Sequence, residues 1–407
     1  MINILVIGLV WPEPTSSAAG WRMLQILESL QLIPGSRITF ASAAAKSPYS
    51  FPLKSIHIAE DTIELNNDSF DDYIETLKPH IVVYDRFVTE EQFGWRVHEK
   101  CPEALTILDT EDLHFLRQAR ISALKKQTNV DYDNEFTIRE ISSILRCDVS
   151  IMISKFEIDL LASQFNIQKD TLIYLPFLEE PIIPENVNDW KSFDEREHMV
   201  FIGNFLHEPN FQTVLKLKQE IWPQVKKQLP KAELHIYGAY AHHKAMQLHN
   251  PKERFFIKGR CENARQTISD YKLLLAPITS GAGAKGKFID AMQTGTPSVT
   301  TETGAESMHE HFNWPGFIAQ NDDSFTAEAI SLYTNKMLWT NAQSNCVPII
   351  NNLYNKQLFQ TTFVETIYQC YNHLADFRRQ HFIRKILLSN ANQAKKYMSL
   401  WIMAKNR

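Results

Sequence analysis

Short apolar runs alternate with longer helical patterns along most of the chain. In the first half these runs are rich in β-branched residues, as strands buried on both faces of a parallel sheet are. Such strands are predicted at residues 2–10, 37–41, 80–85, 105–109, 148–154 and 171–175. The alternation predicts a parallel sheet with helical crossovers in this half of the chain.

The pattern stops at a polar segment and then restarts. Residues 176–198, PFLEEPIIPENVNDWKSFDEREH, hold three prolines and seven carboxylates, which is typical of a linker. Further strands are predicted at residues 198–203, 232–238, 254–259, 272–277, 297–301 and 316–319, with helices near 210–229 and 262–270. Two such blocks favour an α/β protein with two doubly wound domains that face each other across a cleft.

These patterns give the expected domain division. The N-terminal domain takes residues 1–177, the linker 178–197 and the C-terminal domain 198–375, while a helical tail, 376–407, could pack across both domains.

Composition narrows the class of protein. The 407 residues are 44% hydrophobic, and 42 Lys and Arg stand against 47 Asp and Glu, so the net charge of -5 gives no electrostatic footprint for nucleic acid. Five cysteines, odd in number and without C-x-x-C spacing, suggest neither disulfides nor zinc. With no signal peptide or long apolar run recognised, a cytoplasmic location is expected.

A glycine-rich stretch, APITSGAGAKGKFIDAMQTGTPSVTTE, follows the strand predicted at 272–277. Gly281, Gly283 and Gly286 spell G-x-G-x-x-G, and Glu302 follows at about the distance of the acidic residue in the dinucleotide fingerprint. That fingerprint belongs after the first strand of its domain and before a long helix. Here the loop comes late and its helix is short, so a phosphate site is favoured over an NAD site.

Charged residues around this loop suit a diphosphate. Backbone N–H groups at a helix start attract anions, and glycines let a ligand approach the chain closely. Lys285 and Lys287 add two cations there, and Asp290, three residues after Lys287, could accept hydrogen bonds from a ribose diol. The alternative for Lys287 and Asp290 is a surface ion pair.

Two stretches carry a family resemblance: FIGNFLHEPNFQTVLKLKQEIWPQVKKQLPKAELHIYGA, and APITSGAGAKGKFIDAMQTGTPSVTTETGAESM. They resemble the nucleotide-sugar half of GT-B glycosyltransferases, in the retaining group called family 4 and its Gly-Ala-Gly-x-Lys-Gly-Lys branch. The resemblance is strongest over residues 199–308. It implies that Lys285 and Lys287 face the donor diphosphate, that Asp290 holds the ribose, and that Gly203 turns close to the phosphates.

The chain departs from that family pattern in two places. Relatives carry two glutamates spaced by seven residues, and here Asp290 fills the second place while Ala282 fills the first. The Arg and Lys that follow the glycine turn in many relatives are replaced by residues 204–207, NFLH. Because of these departures, a non-catalytic nucleotide-sugar binding or scaffold protein of GT-B shape is the alternative to an enzyme.

In the first half, PEPTSSAAGWRMLQIL resembles the family's loop that meets the donor or acceptor, with Ser17, Gly20 and Arg22 as candidate contacts. The alternative is an ordinary capped helix with a surface Arg22. The stretches YDRF (84–87) and LDTEDLHFLRQAR (108–120) end predicted strands on the side where open sheets bind ligands. His114 lies near the position at which related enzymes hold a histidine against the transferred sugar.

The resemblance implies a retaining, metal-independent glycosyltransferase, with a nucleoside diphosphate sugar as donor and no cofactor. The expected catalytic residues are His114, Lys285 and Lys287, and the expected donor contacts are Gly20, Arg22, Gly203, Gly281, Gly283 and Asp290. The acceptor stays open: it could be a glycan, a lipid-linked glycan or a protein. The expected role is in glycan or cell-surface polysaccharide synthesis.

Two further hypotheses come from charged stretches. The Asp-x-Asp at 131–133 would serve a metal-dependent GT-A enzyme, but it lacks the apolar strand that should present it. Basic residues in FRRQHFIRK, 377–385, could favour an anionic membrane surface at the inner face, or form a solvated helix face.

Overall fold

The computed structural model describes residues 1–390 and 392–406, and the chain divides into two compact units. The first unit comprises Met1–Pro14, Ala19–Pro176 and Leu358–Arg407, and the second comprises Thr15–Ala18 and Phe177–Gln357. Each unit contains one parallel sheet with helices packed around it.

The first sheet has seven strands in the order β3-β2-β1-β4-β5-β6-β7. All of its neighbouring strands pair in parallel. Its strands are β1 Ile2–Gly8, β2 Ser36–Ser42, β3 Ala59–Thr62, β4 Ile81–Asp85, β5 Leu105–Asp109, β6 Val149–Met152 and β7 Leu172–Tyr174. The order reverses between β1 and β4, which makes this pair the switch point of a doubly wound sheet.

Helices connect these strands as crossovers, because parallel strands cannot be joined by tight hairpins. They are α1 Ala18–Gln31, α2 Ser69–Leu77, α3 Arg86–Lys100, α4 His114–Lys126, α5 Glu135–Arg146 and α6 Lys155–Phe165. Short 3-10 turns occur at Leu53–Ile56 and Lys169–Thr171. The central strands β4 and β5 are buried along their whole length, as their continuous apolar sequence requires.

The second sheet has six parallel strands in the order β10-β9-β8-β11-β12-β13. They are β8 Glu197–Ile202, β9 Leu234–Tyr237, β10 Phe255–Gly259, β11 Tyr271–Ala276, β12 Ser298–Thr301 and β13 Gly316–Ala319. All six were predicted from the sequence. The order reverses between β8 and β11, so ligands are expected at the carboxyl ends of these two strands.

Ten helices of the described chain accompany this sheet. They are α7 Pro184–Asn188, α8 Glu208–Lys216, α9 Trp222–Gln228, α10 His243–Met246, α11 Ala264–Ile268, α12 Gly286–Gln293, α13 Glu302–Ala305, α14 Asp322–Thr334, α15 Lys336–Ser344 and α16 Cys346–Leu353. A π-helical turn, Leu217–Ile221, joins α8 to α9, and 3-10 turns occur at Phe193–Glu195 and Pro251–Glu253.

The chain ends in four helices, α17 Lys356–Asn372, α18 Leu374–Gln380, α19 Phe382–Asn390 and α20 Asn392–Asn406. From Leu358 onward they belong to the first unit, so the predicted boundary at 375 is wrong. Helix α17 packs by Phe363 and Ile367, which are fully buried. Arg378 of α18 holds the buried carboxylate of Asp148, with 2.7 Å between Nε and Oδ1.

Residues 178–197 are not the free linker that their composition predicted. Leu178 and Ile182 are buried, α7 lies in this segment, and the backbone of Glu179 bonds to Tyr354 and Lys356. The prolines and carboxylates therefore flank a few apolar side chains that hold the segment in the second unit. Within the described residues, no helix combines the length and apolar composition needed to span a membrane.

Candidate functional site

Two loops meet at the switch point of the second sheet. The turn after β8 begins at Gly203, and the glycine-rich loop, residues 277–285, follows the adjacent strand β11. The loop thus follows the fourth strand of its sheet. A dinucleotide fingerprint would follow the first, which removes the structural basis for an NAD site.

The glycines of this loop are needed for its backbone shape. Gly283 has a φ of 64° and Gly281 a φ of 144°, both in the region that favours glycine. Gly286 opens α12, and a Cβ there would lie 2.7 Å from the Cβ of Ala18, which belongs to the same unit. The loop therefore reaches the start of α12 through two backbone conformations that favour glycine and one close approach to Ala18.

Neither predicted lysine is turned into bulk water. Lys285 caps the start of α12, is buried, and donates from Nζ to the carbonyl of Gly283 at 2.8 Å. Lys287, partly buried, donates to Oδ1 of Asn210 at 2.8 Å, and its ammonium lies 5.0 Å from the ring centre of Phe201. Burial, and then the charge of Lys285, lower the pKa of Lys287 to about 7.

Asp290 is paired with a cation that sequence reasoning did not identify. Arg265 Nε donates to Oδ1 of Asp290 at 2.9 Å, and its Nη2 donates to Oε2 of Glu179 at 2.8 Å. Burial raises the pKa of Asp290, while the charge of Arg265 opposes that rise. The alternative of a surface pair between Lys287 and Asp290 is wrong, because each of the two has another partner.

Glu179 completes this group, which we call the Glu179–Arg265–Asp290 triad. Its side chain is 2% exposed and also accepts from Nε2 of Gln293 at 2.9 Å. Burial raises the pKa of Glu179 to about 7, and the nearby charge of Asp290 adds to the rise while Arg265 reduces it. One cation therefore balances two carboxylates beside α12.

The two departures from the family pattern are visible in the structure. Ala282 is buried, so no carboxylate occupies the place of the first glutamate. After Gly203 the side chain of Asn210 fills the space: a Cβ on Gly203 would lie 2.7 Å from its Cγ. Asn210 also donates to the carbonyl of Asn204 at 3.0 Å. An amide thus fills the space beside the Gly203 turn.

The loop ahead of α1 contributes to the second unit. Arg260 donates from Nη1 to the hydroxyl of Ser16 at 2.8 Å, and from Nη2 to the hydroxyl of Thr15. These hydroxyls and the guanidinium lie in one unit with the glycine-rich loop. The sequence pattern predicts a ligand-binding loop here but does not identify Arg260 as its partner.

His114 lies in the first unit, at the start of α4. Its backbone N–H donates to Oε1 of Glu140 at 3.1 Å, and that of Phe115 donates to Oε2 at 2.8 Å. Its Nε2 lies 3.5 Å from Oδ1 of Asp112, and its ring meets Phe87 edge-on at 5.4 Å. The imidazole is thus oriented by a carboxylate and an aromatic wall.

Gly20 and Arg22 have clear packing roles in the first unit. A Cβ on Gly20 would lie 2.5 Å from the carbonyl oxygen of Glu13, so this glycine admits the backbone of the preceding loop. Arg22 is 1% exposed and donates from Nη1 to the carbonyl of Leu175 at 2.8 Å. The alternative of a surface arginine at 22 is therefore wrong.

Arg22 faces buried carboxylates at the ends of the first sheet's central strands. Asp85, Asp109 and Glu111 offer oxygens within 4.8 Å of one another, the only such group of possible metal ligands among the described residues. Arg22 lies 3.6 Å from Asp109, and Arg86 lies 3.1 Å from Asp85. Two guanidinium groups already balance this cluster, which makes it a poor cation site.

Asp131 and Asp133, the Asp-x-Asp of the GT-A alternative, are exposed and lie between α4 and α5. Oδ1 of Asp131 accepts from the backbone N–H of Asp133. No strand presents this pair, and the two doubly wound sheets are not the GT-A arrangement.

Comparison with known proteins agrees with this geometry. Residues 196–335 match the family model described as Glycosyl transferases group 1. A relative from Klebsiella pneumoniae, described as an uncharacterized 44.6 kDa protein in the cps region, is 24% identical over 176 residues. That match covers 41% of this chain and 45% of the relative, so this chain spans less than half of the relative's length.

Solved structures resemble larger parts of the chain. HepE of Anabaena in complex with UDP and glucose superposes with a TM-score of 0.65 at 12% identity, over 90% of this chain and 99% of HepE. Sucrose-phosphate synthase of Thermosynechococcus elongatus gives 0.67 at 14% identity, over 91% and 100%. TarM of S. aureus, solved with UDP and α-GlcNAc-glycerol, gives 0.57 at 16%, over 73% of this chain and 57% of TarM.

At these identities the structural likeness establishes the fold, and the family match establishes the kind of domain that holds the glycine-rich loop. Residues 196–335 are therefore a Glycosyl transferases group 1 domain, in a chain whose two Rossmann-like sheets have the GT-B fold.

Proposed function

We propose that this protein is a metal-independent, retaining glycosyltransferase that takes a sugar from a nucleoside diphosphate sugar. One observation carries the proposal. Two lysines, Lys285 and Lys287, lie at the start of α12 beside the carboxyl end of β8; Lys285 is buried and Lys287 is partly buried. Ammonium groups beside the N–H groups of a helix start attract anions.

The chemistry of a nucleotide sugar fits this arrangement. Breaking the bond at the anomeric carbon leaves negative charge on the departing diphosphate and positive charge on the sugar ring. Fixed cations and helix N–H groups stabilise that diphosphate more strongly in the transition state than in the ground state. Lys285, Lys287 and the first turn of α12 would supply this charge.

Asp290 would hold the nucleoside. It lies on the same side of α12 as Lys287, one turn further on, and is 20% exposed. Its Oδ1 is held by Arg265, so the carboxylate has a fixed orientation for a vicinal diol. In the first unit, His114 stays a proposed catalytic residue, and its Nε2 lies 3.5 Å from Oδ1 of Asp112. Gly203, Gly281 and Gly283 would let the phosphates approach the backbone.

The donor base and the acceptor are proposed from the relatives. HepE and TarM were solved with UDP, and TarM also with a glycosylated glycerol, which supports a UDP-sugar and a glycan-type acceptor. The Klebsiella relative lies in a cps region, which supports a role in surface polysaccharide synthesis.

A donor panel tests the proposal. Purified protein is incubated with UDP-, GDP- and dTDP-sugars with and without EDTA, and released nucleotide and free sugar are measured. We expect release from at least one donor, unchanged by EDTA. Lys285→Ala and Lys287→Ala should each reduce it by at least about tenfold, because each removes a charge-assisted contact to the diphosphate.

Lys336→Ala is the matched control, because Lys336 forms an exposed ion pair with Asp194 elsewhere in the second unit. It should release nucleotide like the parent. Nucleotide-sugar binding without release from any donor would favour the non-catalytic scaffold, and Ala282 is the residue that would explain it. Loss of nucleotide release with EDTA would overturn metal independence. A product whose anomeric configuration is opposite to that of the donor would overturn retention.

A further inference from the structure

The last two helices expose an unusual amount of apolar surface. Among the described residues, 22 large hydrophobic side chains are exposed, and seven of them lie between 382 and 401. They are Phe382, Ile383, Ile386, Tyr397, Met398, Leu400 and Trp401. At helical spacing, the first three share one face of α19 and the last four share one face of α20. We call these seven side chains the C-terminal apolar surface.

Charge is segregated in the same part of the chain. Residues 377–407 hold eight of the 42 Lys and Arg and none of the 47 Asp and Glu. They carry a net charge of +8, while residues 1–376 carry -13. Lys385 is exposed on α19, and the ammonium of Lys405 lies 5.2 Å from the ring centre of Trp401. Basic groups therefore border the apolar side chains.

Contacts from the other faces of these helices hold the surface on the first unit. Arg384 of α19 lies 3.0 Å from Asp148, whose side chain is fully buried. Arg96 of α3 lies 3.0 Å from the sulfur of Met403 in α20, and Lys396 pairs with Glu99. These contacts fix which faces point outward. The outward faces are the apolar ones.

We propose that the C-terminal apolar surface docks the protein on an anionic lipid bilayer. Amphipathic helices with Trp and aliphatic residues on one face and Lys or Arg beside them lie in the lipid interface, and anionic headgroups attract the cations. A tryptophan paired with a lysine suits the boundary, since the ring enters the acyl region while the ammonium stays at the headgroups.

The charge favours lipid over the other occupants. A second copy of this chain would bring the exposed Lys385 and Lys405 of both copies together across the interface, which opposes association at low salt. A nucleic-acid site consists mainly of cations that contact phosphates. A phosphate backbone would not cover the seven exposed apolar side chains. Dimerisation and nucleic-acid binding remain outcomes of the test below. Neither of these outcomes depends on glycosyl transfer.

The test is co-sedimentation of the whole protein, without nucleotide sugar, with vesicles of phosphatidylcholine alone or mixed with phosphatidylglycerol. We expect binding to the mixed vesicles that weakens as salt is raised. The double variant Lys385→Gln/Lys405→Gln should bind about tenfold more weakly. The triple variant Ile386→Ser/Met398→Ser/Trp401→Ser should not sediment with either vesicle.

Leu206→Ser/Met337→Ser is the matched control, because both side chains are exposed, at 69% and 77%, in the second unit. It should bind vesicles like the parent. As a second readout, vesicles with brominated phosphatidylglycerol should quench the parent's tryptophan fluorescence. Trp401→Phe should keep the binding and lose most of the quenching.

Four results would overturn the proposal. They are equal sedimentation with neutral and anionic vesicles, control and triple variants that bind alike, a parent that dimerises through this surface without binding vesicles, and binding to single-stranded DNA in place of vesicles.

Discussion

The ammonium of Lys287 donates to the side-chain carbonyl of Asn210, with 2.8 Å between Nζ and Oδ1. Asn210 in turn occupies the space left by the missing Cβ of Gly203. One amide group therefore ties the turn after β8 to the first turn of α12. The orientation of a proposed catalytic cation depends on a residue 77 positions away in the sequence.

Asn210→Ala should weaken UDP binding by about fivefold at neutral pH. The variant leaves a partly buried ammonium with one acceptor fewer, and a net hydrogen bond of this kind contributes about 1 kcal/mol. Isothermal titration with UDP measures it. Gln212→Ala, on the exposed side of the same helix, is the control and should bind like the parent. Parent-like affinity in Asn210→Ala would separate Lys287 from the nucleotide site.

Nucleotide affinity should fall as the pH rises above about 7. The pKa of Lys287 is lowered to about 7, so in the free protein this amine loses its proton around neutrality. A bound diphosphate favours the charged form and raises that pKa, so binding takes up a proton above pH 7. Affinity then falls by up to about tenfold per pH unit.

Isothermal titration with UDP in buffers of different ionisation enthalpy measures the number of protons taken up on binding. Lys287→Met should bind more weakly and show a flatter pH profile between about 7 and 9. The same slope in Lys287→Met and in the parent would assign the effect to another group.

Much of the fold could be predicted because its strands are parallel and buried. The continuous apolar runs at β4 and β5 leave few alternatives for five-residue segments. The strand β3, Ala59–Thr62, could not be found this way, since AEDT is polar and lies at the sheet edge, where one side meets solvent. Helix α17 was placed in the wrong domain because periodicity does not show which sheet a helix packs against.

Some residues of the candidate site could be identified from the sequence, and others could not. Lys285, Lys287 and Asp290 could be named as candidates because they follow one another on a single loop and helix, and their roles stay predictions. Arg265 lies 25 residues from Asp290, and Glu179 lies 86 residues from Arg265, so only tertiary packing brings the triad together. Glu179 was also hidden by its setting, because its neighbours have the composition of a linker.

Asp290→Asn should distinguish the nucleoside from the phosphates. Asparagine keeps the shape of the side chain but removes the charge that accepts from a ribose diol, a loss of about 1.5 kcal/mol or roughly tenfold in UDP affinity. Pyrophosphate affinity should stay unchanged, because the lysines remain. Competition titrations with both ligands measure the ratio. Asp270→Asn, an exposed carboxylate paired with Lys191, is the control, and equal losses for both ligands would contradict the assignment.

Glu179→Gln should change how stability depends on pH. The pKa of Glu179 is raised from 4.5 to about 7, so its protonated form contributes stability that is fully present below pH 4.5 and is lost as the pH rises through 7. The variant lacks this titration. Its free energy of unfolding relative to the parent should therefore rise by up to about 3 kcal/mol between pH 4.5 and 7.

Urea unfolding at several pH values checks this. Glu180→Gln changes the next carboxylate, which is 74% exposed, and its curve should run parallel to that of the parent. A Glu179→Gln curve that is also parallel would show that folding does not raise the pKa of Glu179.

Arg22→Met separates the two roles considered for this arginine. The buried guanidinium lies 3.6 Å from Asp109 and 3.9 Å from Glu111, so its removal leaves these buried carboxylates with Arg86 as their remaining cation. Breaking such a group typically costs about 3–5 kcal/mol. We expect a loss of this size in urea unfolding, and a partial recovery in Arg22→Met/Asp109→Asn, because the second change removes the uncompensated charge. If Arg22 instead contacts the donor, Arg22→Met would unfold like the parent and bind UDP-sugars more weakly, with no recovery in the double variant.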